Sequence, residues 1–145
     1  SNELEKDLSK KSPEEIIEIY YTALNEHDFH MMNAVRSRRS LSADLFVNKD
    51  TQALINHQDD KTITMWLDNI ESAKLIRIEN INNPLNCLPV YGALVDFQFV
   101  HPQLPTIPEG ENLRFMVLNE EIKGLGWRIE EVNTAPGVSE RLCTP

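Results

Sequence analysis

The sequence contains few of the residues on which several classes of protein depend. Its 145 residues include two cysteines, and no apolar run approaches the roughly 20 residues that span a bilayer. Cys87 and Cys143 are too few and too far apart for a zinc ribbon, and neither belongs to a Cys-x-x-Cys pair. We therefore expect a soluble chain with no metal site and no cofactor.

Basic residues are also scarce. The chain has 14 Lys and Arg against 23 Asp and Glu, which gives a formal net charge of -9. A surface of that sign repels phosphate backbones, so nucleic acid is not an expected partner. Arg36, Arg38 and Arg39 form one basic cluster, which has two interpretations: an anion site, or a solvated loop between helices.

The two cysteines leave a second choice open. A disulfide between Cys87 and Cys143 would tie the tail to a loop between strands in an oxidising compartment. Two unpaired thiols are the favoured interpretation, because a sequence does not establish the Cα separation that a bridge requires.

The apolar residues suffice for one domain. They make up 41% of the chain, which supports a core without a metal or disulfide scaffold. The composition predicts a flexible charged segment over residues 1–11, a single domain over 12–135 and a tail over 136–145. The start at Ser1 and Asn2, without Met, is typical of a trimmed chain from which a leader has been removed.

Two helices are predicted near the start. Ser12 can cap the first, Pro13 suits its first turn, and Glu15 completes a capping box. Apolar residues at three- and four-residue spacing continue this helix to about Asn25. Asp28 can cap a second helix that extends from residue 29 to about 36. Residues 41–69 fit short helices or irregular segments.

After Ser72 the apolar period changes from about 3.6 to 2, which indicates strands. Four are predicted, over residues 74–81, 90–100, 113–120 and 127–132, with glycines between the last two for a hairpin turn. In the second strand the alternation places Val95 and Phe97 on one face and Asp96 on the other. Helices followed by a strand meander predict an α+β fold.

These segments resemble a known superfamily. The features are the Pro13-Glu14-Glu15 helix start, the link Leu24-Asn25-Glu26-His27-Asp28, and a final strand that begins Gly126-Trp127-Arg128-Ile129. Together they resemble the nuclear-transport-factor-two-like superfamily, of cystatin-like fold, which includes ketosteroid isomerase and bacterial envelope proteins of unknown function. The resemblance implies helices packed in the concave face of a curved, mainly antiparallel sheet, and a cone whose mouth can hold a small molecule.

Seven aromatic residues are the candidates for lining such a pocket: Tyr20, Tyr21, Trp66, Tyr91, Phe97, Phe99 and Trp127. The alternative is that most of them fill the core, because small domains are close-packed. No catalytic residue is assigned.

An enzyme of this superfamily would resemble a pocket with a carboxylate base, a phenol and a protonated acid. Tyr20 or Tyr21 would supply the phenol and Asp44 the base, but Asp96 faces away from the cone. Dehydratase-like relatives use a His and an Asp. The four histidines, His27, His30, His57 and His101, are expected to be exposed or locally bonded.

The sequence therefore predicts a non-catalytic domain of a bacterial envelope protein that binds a small apolar molecule or another protein. An isomerase-like or dehydratase-like enzyme is the alternative. A structural homodimer through the outer sheet face is a third interpretation, suggested by Leu94 and Val100. The resemblance implies an extracytoplasmic location, with membrane attachment only through a removed N-terminal anchor.

Overall fold

The structure is a computed structural model that describes residues 2–42, 69–81, 87–101 and 109–135. Three helices precede four strands. Their bounds are α1 Asn2–Leu8, α2 Pro13–Asn25, α3 Phe29–Ala34, β1 Ile70–Ile81, β2 Val90–Phe99, β3 Gly110–Asn119 and β4 Arg128–Asn133.

Helix α2 begins at a capping box, as the sequence predicts. The Glu15 backbone N–H donates to Ser12 Oγ at 3.2 Å, and the Ser12 N–H donates to Glu15 Oε1 at 3.1 Å. These bonds satisfy donors that the first helical turn leaves without intrahelical acceptors. The apolar stripe of α2 is buried, and its members are Ile16, Ile17, Tyr20, Tyr21, Ala23 and Leu24.

Helix α3 follows after a short link and is also capped as predicted. Asp28 Oδ1 accepts from the Met31 N–H at 3.1 Å. The helix ends at Ala34, slightly earlier than expected, because the Val35–Ser37 segment turns to meet β4. The Ile129 N–H donates to the Val35 carbonyl at 2.8 Å, and the Ser37 N–H donates to the Ile129 carbonyl at 2.9 Å.

The four strands form one antiparallel sheet in the order β1-β2-β3-β4. Strand β2 has the predicted alternation: Ala93, Val95, Phe97 and Phe99 are buried, whereas Gln98 is exposed. We call the face with Val95 and Phe97 the inner face. Helix α2 packs on it, mainly against β1, so the predicted α+β fold of helices against an antiparallel sheet is confirmed.

Strand β1 begins at Ile70, earlier than the pattern indicates, and pairs with Phe99 at that end. Its register with β2 shifts between Leu75 and Arg77. A bulge of this kind interrupts the two-residue period. The interruption explains why the sequence pattern located this strand less well than it located β2.

The N-terminal segment differs from the prediction of a flexible charged segment over residues 1–11. Residues 2–8 are helical, Leu8 is 3% exposed, and Leu4 packs against the same core. The chain then passes close to Gly126 in the β3–β4 turn, where an added Cβ would lie 2.7 Å from the Leu8 carbonyl oxygen. The prediction followed the charged composition and overlooked Leu4 and Leu8. These two leucines lie one helical turn apart, on the same side of α1, and pack the helix against the core.

The expectation of unpaired thiols is wrong, because Cys87 is disulfide-bonded. The chain has one other cysteine, Cys143, which lies outside the described residues. The positions of two cysteines in the sequence do not give the distance between their side chains in the fold. The sequence could not show that a bridge was feasible, and unpaired thiols were favoured for that reason.

Candidate functional site

The aromatic residues predicted to line a pocket lie together, and most of them are buried. Tyr20, Tyr21, Tyr91, Phe97 and Phe99 are each between 2% and 8% exposed and belong to the core. Trp127 is half-buried at the edge of the core, and Trp66 lies outside the described residues.

The rings contact one another in a row. The Tyr20 and Tyr21 centroids are 4.9 Å apart, edge to face, and Tyr21 meets Phe97 at 6.5 Å. Phe97 stacks on Phe99 at 6.2 Å. Pairs with these geometries add stability beyond the area that they bury. The aromatic residues therefore fill much of the space between α2 and the sheet.

Tyr21 is the most constrained member of this row. Its hydroxyl donates to Met116 Sδ at 3.4 Å across the core. Burial raises the pKa of the Tyr21 phenol well above its usual value, and the neighbouring Tyr20 adds to the rise. The guanidinium of Arg114 opposes the shift. Tyr21 is consequently a neutral hydrogen-bond donor at any physiological pH.

An open groove of about 730 Å³ lies between α2 and β1. We call it the α2–β1 groove. Tyr21 is the one predicted pocket residue that the structure places in its lining among the described residues. The other residues that line it are Glu14, Glu18, Thr22, Asn25, Ala73, Lys74, Leu75, Ile76, Arg77 and Ile78.

The floor of the groove is apolar and its rim is charged. Ala73, Leu75 and Ile78 face the inner side of β1, since they pair with Phe97, Val95 and Ala93 of β2. On the rim, Glu14 and Glu18 of α2 are exposed. Lys74 and Arg77 of β1 are exposed too and border the groove from the strand edge, although they pair with Asp96 and Leu94 on the outer side of the sheet. An occupant would therefore meet an apolar surface below and groups of both charges above.

A side-chain bond holds the two walls at a fixed separation. Asn25, the last residue of α2, accepts a hydrogen bond at its Oδ1 from the Ala73 N–H at 2.9 Å. Strand β1 is the edge of the described sheet, so this N–H lies on the side away from β2. Asn25 thus fixes the end of the helix to the edge of the sheet.

One carboxylate and one phenol meet near this groove. Burial raises the pKa of Tyr91, and the Glu14 carboxylate raises it further. Tyr91 faces the inner side of β2, and Glu14 lies in the first turn of α2. This pair includes no residue to which the sequence assigned a catalytic role.

Those of the remaining polar candidates that the structure describes do not line the groove. His27, His30 and His101 are exposed, as expected, whereas His57 and the proposed base Asp44 lie outside the described residues. Asp96 pairs with Lys74 on the outer side of the sheet and accepts from Gln98 Nε2 at 2.9 Å. Its predicted position away from the inner face is confirmed.

The basic cluster is used mainly for local structure. Arg36 donates to the Ser40 carbonyl at 3.1 Å and to Asn33 Oδ1 at 3.2 Å. Arg38 lies 3.6 Å from the Glu121 carboxylate. These contacts occupy two of the three arginines, which favours the structural interpretation over an anion site. In the described ranges, no group of three or more His, Cys, Asp or Glu side chains is arranged to hold a metal ion.

Sequence reasoning did not find the α2–β1 groove or the position of Arg114. The groove depends on the distance between two elements that lie far apart in the chain. Arg114 interrupts the inner-face pattern of β3 with a charge, between Asn112 and the buried Met116. A charged residue on the inner face of a strand was the signal that would have identified it.

In a comparison with protein families, residues 14–132 match the family described as Domain of unknown function (DUF4829). The chain belongs to the DUF4829 family. The range that matches this family begins in the first turn of α2 and ends in β4, so it contains α3, β1, β2 and β3 and all but the end residues of α2 and β4. Neither the curated proteins nor the solved structures gave a match to this DUF4829 chain. Among its described helices, none has both the length and the apolar character that crossing a bilayer requires.

Proposed function

We propose that this DUF4829 domain is a non-catalytic binding domain of a bacterial envelope protein, and that its α2–β1 groove holds a small amphipathic molecule. The observation that carries the proposal is the groove itself. Its volume of about 730 Å³ lies in the range of small-molecule sites, and its apolar floor is bordered by a few polar groups.

The sequence predicted an apolar ligand. The charges on the rim of the groove indicate an amphipathic one instead. Two carboxylates stand on the helix wall, and Lys74 and Arg77 stand on the strand wall. An apolar body would cover Leu75 and Ile78, while polar groups on it would reach the rim. Arg77 already pairs with Glu79 at 3.1 Å, and the other three rim charges are exposed to solvent. Polar groups on an amphipathic molecule can interact with these charges, whereas a purely apolar molecule displaces their water without replacing it, so an amphipathic one fits better.

Binding is favoured over catalysis by the placement of the ionisable groups. Catalysis requires at least two titratable groups that converge in a site shielded from water, with pKa values tuned to the reaction. Glu14 and Glu18 are exposed, and the most strongly perturbed phenol, Tyr21, bonds to a methionine sulfur. The predicted pocket aromatics pack against each other, not around a substrate-sized space.

The envelope location is supported by the disulfide of Cys87. Disulfides persist in oxidising compartments and are rare in the cytosol of most organisms. The arrangement of helices on one face of an antiparallel sheet is also what a nuclear-transport-factor-two-like relationship implies. We retain that relationship as a proposal, with attachment to the membrane through an N-terminal anchor.

The groove is tested by mapping a fragment library onto the backbone amides of the labelled protein by NMR. Binding in the groove would shift the amide resonances of Thr22, Ala73 and Leu75 together. Thr22→Tyr fills the groove and is expected to weaken those shifts at least about tenfold, because its ring occupies the ligand's space. His30→Tyr, at an exposed position on α3, serves as the matched control.

Two results would contradict the groove proposal. One is that the fragments shift amide resonances elsewhere and leave those of Thr22, Ala73 and Leu75 unchanged. The other is equal binding by Thr22→Tyr and His30→Tyr. The envelope location has a separate test, since mass mapping after thiol alkylation of protein from its own cells should find Cys87 oxidised.

The enzyme alternative rests on Tyr91 and Glu14, because the Glu14 carboxylate raises the pKa of the Tyr91 phenol. Glu14→Gln removes the negative charge and should lower the pKa of Tyr91, although burial keeps it above the usual value. Glu18→Gln is the control and should leave it unchanged. A substrate whose turnover is lost in Glu14→Gln and Tyr91→Phe would replace the binding proposal with an enzymatic one.

A further inference from the structure

Arg114 is a charged side chain in an apolar environment. It lies on the inner face of β3, paired with Ala93 of β2, and is 7% exposed. Its guanidinium carbon is 5.7 Å from the centroid of the Phe97 ring, which is itself part of the aromatic row. The fold therefore places a cation against the core instead of at the surface, where arginine is usually found.

The guanidinium has an unfilled hydrogen-bonding position. Nη2 is buried, and among the described residues it has no hydrogen-bond partner. The salt bridges between described residues involve other cations, namely Lys11, Arg38 and Arg77. The chain has 23 acidic residues and 14 basic ones, yet no described carboxylate accepts a hydrogen bond from Nη2 of Arg114.

This arrangement is costly unless something occupies it. A buried donor that loses its water and gains no acceptor destabilises the folded state, and the cost is larger for a charged group. The contact with the Phe97 ring offsets part of that cost but supplies no acceptor oxygen. A guanidinium nitrogen that still has a free donor is well suited to a carboxylate oxygen.

We propose that Arg114 is the anchor of a binding site for a compact carboxylate on the inner face of the sheet. The site adjoins the α2–β1 groove at Tyr21 but is centred on Arg114, which is not among the described residues that line the groove. One carboxylate oxygen accepts from Nη2, and the Phe97 ring supports the guanidinium from below. Tyr21, a neutral phenol near Arg114, adds no competing charge.

The ligand is a small anion because the surroundings are closely packed. Tyr21, Phe97 and Met116 are 3% exposed or less, so the space next to Nη2 is bounded by core side chains. A formate-sized or acetate-sized group suits such a space, whereas a large dianion does not. The remaining exposure of Arg114 gives the anion a route from solvent.

The probe is sodium formate, titrated into the protein at constant ionic strength with a bulky sulfonate as the balancing anion. We expect a saturable rise in Tm and saturable NMR shifts at Phe97 and Tyr21. Arg114→Gln keeps a polar side chain without the charge and should weaken formate binding roughly 10- to 100-fold. Arg39→Met, at an exposed arginine, changes the net charge equally and should bind formate as the parent protein does.

A second variant separates binding from packing. Arg114→Met removes the unpartnered donor and fills similar space, so its Tm in formate-free buffer should be higher than that of the parent protein. Its Tm should also no longer respond to formate. A lower Tm for Arg114→Met, with no formate response in the parent protein, would assign the guanidinium a packing role and overturn the proposal.

The titration of the parent protein with formate tests the Arg114 site even if a variant fails to fold. Saturable shifts centred on Phe97 and Tyr21 support the site. A response to formate that is linear in concentration, or that maps to the protein surface, overturns it. Equal formate affinity in Arg114→Gln and the parent protein also overturns it.

Discussion

Gly126 in the β3–β4 turn shows how one residue connects distant parts of the chain. Its φ of 86° lies in the left-handed region that favours glycine, and its open side faces the backbone of Leu8 and Ser9. Gly124, in the same turn, has a φ of 92° but nothing within 4 Å of an added Cβ. An added side chain would therefore cause only backbone strain at Gly124, but backbone strain and a steric clash at Gly126.

Substitution of these glycines by alanine should have unequal effects. Gly124→Ala is expected to lower the free energy of unfolding by about 1–2 kcal/mol, through backbone strain alone. Gly126→Ala adds a contact of 2.7 Å with backbone, so a loss of at least about 3 kcal/mol is expected. Urea denaturation measures both, and equal losses would contradict the close approach of α1.

Tyr21 should make the protein sensitive to alkali. Its pKa is raised in the folded state, so above the ordinary tyrosine pKa of about 10 the unfolded chain releases a proton that the folded chain keeps. Stability then falls as pH rises, with a limiting slope of about 1.4 kcal/mol per pH unit for this group. Well below pH 10, where the phenol is protonated in both the folded and the unfolded chain, the group contributes no pH dependence.

Tyr21→Phe should remove that contribution at a cost of about 1 kcal/mol or less at pH 7, because the bond to Met116 Sδ is weak. The comparison is the unfolding free energy of both proteins between pH 9 and 11. Parallel pH profiles for the two proteins would show that burial of the Tyr21 hydroxyl is not what opposes its ionisation.

Among the elements, α1 is the one whose role the composition least indicates. Leu8→Ala should lower the free energy of unfolding by about 2–4 kcal/mol, since the side chain is 3% exposed within the core. Asp7→Ala, at the exposed neighbouring position, should change it by no more than about 0.5 kcal/mol. If chemical denaturation shows small and equal effects for Leu8→Ala and Asp7→Ala, residues 2–8 are a flexible segment and not a docked helix.

At the scale of the whole molecule, the outer face of the sheet carries apolar residues that are partly exposed. Leu94 pairs with Leu113, which is 45% exposed, and Phe115 lies beside them opposite Gly92. Leu94 is half-buried and Val100, named with it in the sequence, is 55% exposed. The homodimer through this face stays a prediction, with a second copy of the chain as the occupant.

Light scattering after size exclusion at micromolar concentration should then give twice the chain mass of 16.7 kDa. Leu113→Lys places a charge at the centre of the apolar pair and should shift the protein to the monomer. Ile122→Lys, at an exposed apolar residue in the β3–β4 turn, is the control. A monomer for the unmodified protein would remove the dimer from consideration.

The sequence by itself determined the features that depend on residues within about four positions of each other. The capping box of Ser12 and Glu15, the Asp28 cap and the alternation in β2 are of this kind, because their hydrogen bonds or faces are set locally. Helices followed by an antiparallel meander followed from those features, and so did the inward position of Phe97.

Only the tertiary structure decided which distant residues meet. The approach of Leu8 to Gly126, the bond from Ala73 to Asn25, the disulfide of Cys87 and the isolation of Arg114 all depend on how the elements pack. No local pattern encodes these distances, since each joins chain segments whose separation is fixed by the shared core. The α2–β1 groove and the proposed carboxylate site belong to this second group, because both depend on distances that only the packing of the elements sets.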